Sequence, residues 1–226
     1  MTMPFYVAPE QMMKDRADYA RKGIARGRAL VGSICAEGII LCAENPSRML
    51  RKVSEIYDRI GFAGVGKYNE FDQLRIAGIR HADLKGFSFS REDVDARSLA
   101  NQYAQILGNV FTHEMKPMEV EILVAEVGRD AHTDQLFHIL YDGTLIDEGG
   151  YCVLGGEADA VRERMEASWS AEAELAAAVG LCVSALAGDD RTISPEELEV
   201  AILERDLRRR TFRRLDDDEV SAAIAQ

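Results

Sequence analysis

Chemistry-bearing spacing is densest between Gly61 and Tyr68. The run Gly61-Phe62-Ala63-Gly64-Val65-Gly66-Lys67-Tyr68 nearly satisfies G-x-x-x-x-G-K-[ST], in which backbone amides cradle phosphates and the lysine neutralises them. Ile122-Leu123-Val124-Ala125-Glu126 has the form of the acidic strand that would assist the metal. The last position breaks the pattern: Tyr68 cannot supply the small hydroxyl that ligates Mg2+, and neither Glu70 nor Asp72 replaces it. Nucleotide binding therefore stands as an alternative without its metal ligand. The histidines His81, His113, His132 and His138 have no metal-ligand spacing with one another or with the cysteines, so no metal is expected. The four cysteines, Cys35, Cys42, Cys152 and Cys182, lie in apolar runs without CxxC spacing and read as buried free thiols of a reducing cytosol. Arg208-Arg209-Arg210 and Arg213-Arg214 precede Asp216-Asp217-Asp218-Glu219, which reads as local neutralisation on a solvated edge strand. Asp147-Glu148 and Asp189-Asp190 read as turn residues, and Lys52, on pattern alone, as a surface lysine on a half-exposed strand.

The elements that must position these residues begin with four short strands: Ala29 to Cys35, Ile39 to Ala43, Met49 to Tyr57 and Ile60 to Gly66. Three are near-continuous apolar runs, as sheets covered on both faces require. Before them, Pro9 suits the first turn of a helix through Gln11 to Arg26, whose charges alternate in sign along an exposed face. It reads either as a solvated helix behind a frayed terminus or, being too polar to be held by its own core face, as a subunit contact. After them come a helix from Lys67 to Ile79, a capping box at Ser90 and Asp93, and a helix from Val94 to Glu114 with Leu99, Tyr103, Ile106, Leu107, Val110 and Phe111 on one face. Strands are expected at Val120 to Val127, Gln135 to Tyr141 and Thr144 to Val153, with a hairpin turn at Asp142-Gly143. Helices at Glu157 to Trp169 and Ala171 to Ala187, then strands at Leu198 to Leu203 and Thr211 to Leu215, complete the order before a short acidic-to-apolar tail. This order describes an α+β, four-layer αββα sandwich: two antiparallel sheets face each other, with helices outside both.

Bulk properties agree. The 226 residues suit one large domain, and 47% hydrophobic with 29% charged content is that of a globular chain. A formal net charge of -12 opposes general binding to nucleic acid or anionic membrane. The longest uncharged apolar run, Leu175 to Ala187, is too short to cross a bilayer and no targeting segment is recognisable, so a cytoplasmic location is expected.

Leu30-Val31-Gly32, the Glu37-Gly38 turn, Ile40-Leu41-Cys42-Ala43-Glu44, Lys52-Val53 and the small-residue strand Gly61 to Gly66 together resemble the proteasome-type branch of the N-terminal-nucleophile hydrolases. Within it the pattern is similar to the α subunits of actinobacterial proteasome core particles. The catalytic β subunits of that family use a threonine at the head of the first strand, whose own α-amine activates its hydroxyl. The resemblance puts Arg28 in the threonine's place, Glu44 at the supporting carboxylate and Lys52 at the supporting lysine. It thus implies a non-catalytic paralogue without a cofactor. An alternative, a self-standing threonine-type hydrolase, needs a mature chain beginning at Thr, Ser or Cys, and freeing Ser33 or Cys35 would destroy the first strand.

The resemblance further implies a homo-heptameric ring stacked on proteasome β subunits, a hexameric AAA ATPase activator and tagged, unfolded protein substrates. It assigns Lys52 and Gly66 to the pocket where the ATPase's C-terminal carboxylate docks, and Pro9, Tyr19 and Arg21 to ring contacts. Met1, Thr2, Met3, Pro4, Phe5, Tyr6, Val7 and Ala8 would be the tail that occludes the axial pore, although this tail lacks the Tyr-Asp-Arg cluster of archaeal and eukaryotic α subunits. The corresponding divisions are 1–8 tail, 9–27 helix, 28–215 sandwich and 216–226 C-terminal tail or helix.

Overall fold

The computed structural model describes residues 8–47, 49–207 and 209–225. Two five-stranded antiparallel sheets form its centre. The first has the order β10(Phe212–Arg214), β9(Leu198–Glu204), β2(Gly38–Glu44), β1(Leu30–Cys35), β8(Tyr151–Leu154). The second runs β3(Val53–Tyr57), β4(Ile60–Gly66), β5(Val120–Glu126), β6(Gln135–Ile139), β7(Leu145–Glu148).

The continuous apolar runs resolve into two faces by the two-residue period of a strand. On β2, Ile39, Leu41 and Ala43 point into the layer between the sheets, while Ile40 and Cys42 point outward under α4(Ala158–Ser168), α5(Leu175–Ala187) and α6(Asp217–Ile224). On β5, Leu123 and Ala125 take the inner layer, whereas Val120, Ile122 and Val124 meet α2(Tyr68–Ser88) and α3(Ala96–His113). Three apolar cores therefore separate four layers, and the expected αββα sandwich is present.

Several expected boundaries change, each for a local reason. The segment Thr144 to Val153 is two strands: Gly149 and Gly150 break it, so that β7 closes the second sheet and β8 joins the first. Gly150 has φ +99°, and a Cβ there would stand 2.4 Å from the Trp169 ring. Helix α2 continues beyond Ile79 to Ser88, because the small Gly78 and Ala82 keep its buried stripe seated against Tyr103 and its neighbours. Ser90 does not cap the following helix. Its hydroxyl accepts Glu92 N–H (3.3 Å) and opens a single 3-10 turn, Arg91–Asp93, while Asp95 caps α3 by accepting from Ser98 N–H at 2.7 Å. The acidic tail is α6, whose Asp216 and Glu219 form a capping box and whose Val220 and Ala223 are buried.

Helix α1(Pro9–Ile24) rests on the sandwich only by its second half. Ala20 and Ile24 are buried with Tyr141, and Arg16 reaches the carbonyls of Val110 (3.2 Å) and Glu114. Its first turns are exposed. Ala8 is extended and exposed, its carbonyl accepting Met12 N–H at 3.0 Å; Met1, Thr2, Met3, Pro4, Phe5, Tyr6 and Val7 lie outside the described residues.

Candidate functional site

The residues matched to catalytic positions meet at one end of the inner layer. Glu44, the last residue of β2, is buried, and Arg28, just ahead of β1, pairs with its Oε1. Arg191, in the segment after α5, grips both carboxylate oxygens at 2.9 and 2.8 Å and also donates to Leu186 O. Burial alone would raise the Glu44 pKa, but hydrogen bonds from Arg191 and Arg28 outweigh it and hold the carboxyl below its ordinary range.

Lys52 does not lie in a strand or wave in solvent, as expected from pattern. It precedes β3, and its ammonium turns inward to donate to Arg28 O (2.8 Å) and Glu44 O (3.0 Å). Its backbone N–H donates to Glu199 Oε2 at 2.9 Å. Burial pushes the amine down to about 8, against the pull of Glu44 and Glu199. Buried Glu199 also accepts from Asn45 Nδ2 (2.7 Å) and from Arg214, so it anchors the entry to β3.

Gly66 approaches the same place from β4. Its φ is +105°, and a Cβ would lie 2.0 Å from Glu119 O. A Cβ at Gly27 would lie 3.2 Å from Gly66 N. Lys52 and Gly66 therefore flank the Gly27-Arg28 link between α1 and β1. Of the other assigned residues, Pro9 is exposed at the start of α1. Tyr19 is half-exposed under Lys116 (5.6 Å), and Arg21 lies over Tyr141 (5.6 Å) while pairing with Asp18.

This arrangement has no activated nucleophile. Arg28 has no hydroxyl, is not terminal, and its carbonyl is occupied by Lys52. Ser33 is buried mid-strand, its hydroxyl directed at Ile34 O, and the buried Cys35 thiol is pushed up to about 11. Nor is there a phosphate cradle. Gly61 and Gly64 are β4 residues packed against Leu41, Leu203 and Phe71, and Lys67 faces Glu70 at 3.7 Å.

A family model described as "Proteasome subunit" matches residues 24–203. The chain belongs to the proteasome subunit family. A "Proteasome subunit alpha" of Acidimicrobium ferrooxidans is 64% identical over 224 residues, 99% of this chain and 97% of its own. Those of Kineococcus radiotolerans and Thermomonospora curvata are 53% and 50% identical, each aligned over 100% of this chain and 99% of theirs. Within the proteasome family the chain is thus an α subunit of the core particle, a non-catalytic component of the protease that assembles with β subunits. The chemistry agrees: Glu44 is spent on two arginines and Lys52 on two carbonyls.

Arg191 and Glu199 are members of this cluster that sequence reasoning missed. The only local sign of Arg191 is its place after the turn at Asp189-Asp190. The arginine-rich stretch is neutralised mostly from elsewhere: Arg213 by Glu204 and Glu219, Arg214 by Glu199, Arg210 by Glu55. Among the described residues no helix is long and apolar enough to cross a membrane.

Proposed function

We propose that this α subunit forms homo-heptameric outer rings that gate the core particle. Residues 1–8 close the entrance, residues 9–27 supply ring contacts through Pro9, Tyr19 and Arg21, and residues 28–215 with the C-terminal helix form the body. In the cytoplasm the ring receives a hexameric AAA ATPase, whose C-terminal carboxylate docks at Lys52 and Gly66, and passes tagged, unfolded protein to the β subunits. Docking favours the open arrangement of the tails and so shifts the population of gates.

The observation that carries this reading is the state of the Lys52 ammonium. Among the described residues its two acceptors are neutral carbonyls, and the carboxylates that act on it, Glu44 and Glu199, are already paired with arginines. An ammonium has three donors, so one remains for an arriving carboxylate, in a partly desolvated setting where a charge-assisted bond is strong.

In particles assembled with the β subunit, Lys52→Met is expected to weaken ATPase-stimulated degradation about 10- to 100-fold, the effect of losing one charge-assisted bond. Assembly, read by native mass, is retained. Deleting residues 1–8 raises peptide turnover without the ATPase. Full stimulation of the Lys52 variant removes the docking role; unchanged turnover after the deletion removes the gate.

A further inference from the structure

The layer between the sheets is apolar at its centre and polar at its margins, and one of those margins lies under β7 and β8. There, β5, β6 and β7 direct Glu121, His138 and Glu148 inward alongside Leu123 and Leu136, and β8 brings Cys152 across from the opposite sheet. His138 is 6% exposed and Cys152 fully buried, yet neither ring nitrogen of His138 makes a hydrogen bond of good geometry. The contacts it has are long: Nδ1 to Glu148 Oε1 is 3.4 Å and Nε2 to Glu121 Oε2 is 3.6 Å. Unsatisfied buried polar atoms are costly and call for an explanation.

We infer that His138, Glu148 and Cys152 form a binding site for a divalent transition ion of the zinc type. One nitrogen, one carboxylate oxygen and one sulfur lie within 4.8 Å of one another. The 3.4 Å between Nδ1 and Glu148 Oε1 matches the ligand separation of roughly 3.3 Å in a tetrahedron with bonds of about 2.0–2.1 Å. Imidazole and thiolate select a borderline ion over Ca2+ or Mg2+. Glu121, on the far side of the ring, is placed to receive Nε2–H and fix the tautomer, the usual carboxylate partner of a ligating histidine. Arg162, 3.8 Å from Glu148 and partly exposed, has room to turn outward. Binding releases the Cys152 thiol proton and any proton on the ligating nitrogen, leaving the ion and the two anionic ligands neutral as a set. The sequence criterion missed this site because its ligands come from three strands, without local spacing. Its effect would be mechanical, stapling β8 of one sheet to β6 and β7 of the other.

The test uses the particle assembled with its β partner, stripped by a chelator and titrated with Co2+. The expected result is a thiolate-to-metal band in the near ultraviolet, saturating at one ion per α chain and displaced by Zn2+. Cys152→Ser loses that band, and His138→Gln weakens binding about 10- to 100-fold or more. A wild-type particle without the band, or a band unchanged in Cys152→Ser, overturns the site and leaves His138 as an imidazolium held between two carboxylates. Should neither variant assemble, X-ray absorption of the Zn2+-loaded wild-type particle decides: a sulfur neighbour at about 2.3 Å supports the site, and its absence overturns it.

Discussion

Glu44 and Lys52 both have depressed folded pKa values but titrate in separate pH windows, which makes their roles separable. The folded pKa of Glu44 is depressed, so its contribution to stability is present above the ordinary glutamate value, about 4.3, and is lost as pH falls through the lower folded value. Glu44→Gln should flatten that part of an acid-unfolding profile. Lys52 is a base with a depressed folded pKa: between about 8 and 10.5 the unfolded chain binds the proton and the folded chain does not, so stability rises with pH across that window. Denaturant midpoints measured from pH 7 to 11 should lose this rise in Lys52→Met. Both residues were legible in sequence through the family pattern around β1 to β4. Arg191 was not, since it closes on Glu44 from 147 positions away and nothing near it marks the pairing.

At the scale of elements, apolar periodicity located nearly every strand and helix, but glycine decided how they divide. The run Thr144 to Val153 has the composition of one strand, and only the space and backbone angle required at Gly150 show that it serves two sheets. Gly150→Ala should destabilise the fold by about 1–3 kcal/mol, because Trp169 must yield and the backbone is left-handed. The check is a lower denaturant midpoint with an unchanged slope. The early end expected for α2 reflects the same limit: the signal at Ile79 faded because small residues, which carry little hydrophobic periodicity, line the rest of its buried stripe.

Across the whole molecule, the sheets are joined by their apolar inner layer and by a few polar ties at its margins. The Asp134 side chain, fully buried, accepts from Arg205 at 2.6 and 3.0 Å, linking the loop before β6 to the end of β9. Asp134→Ala strands the Arg205 charge and should cost about 3–5 kcal/mol, whereas Asp147→Ala, which removes an exposed partner of Arg97 at 3.8 Å, should cost 0 to about 1 kcal/mol. Equilibrium unfolding of both variants compares them directly. The layered architecture was readable because residues apolar on both faces of a strand demand cover on both sides; these ties were not, because they join segments remote in sequence.

The Gly27-Arg28 link has a consequence for descent. The chain enters β1 through a peptide bond held by its surroundings: Gly27 N–H donates to Ile24 O at 2.8 Å and Gly27 O accepts Gly156 N–H at 3.0 Å. An amino-terminal nucleophile must own a free amine at this position, and α1 with everything ahead of it occupies that place. Arg28→Thr alone should therefore produce no peptide hydrolysis. A lineage that keeps the leading helix forfeits the enzyme, and it cannot return by point substitution without also acquiring a cut that removes that helix.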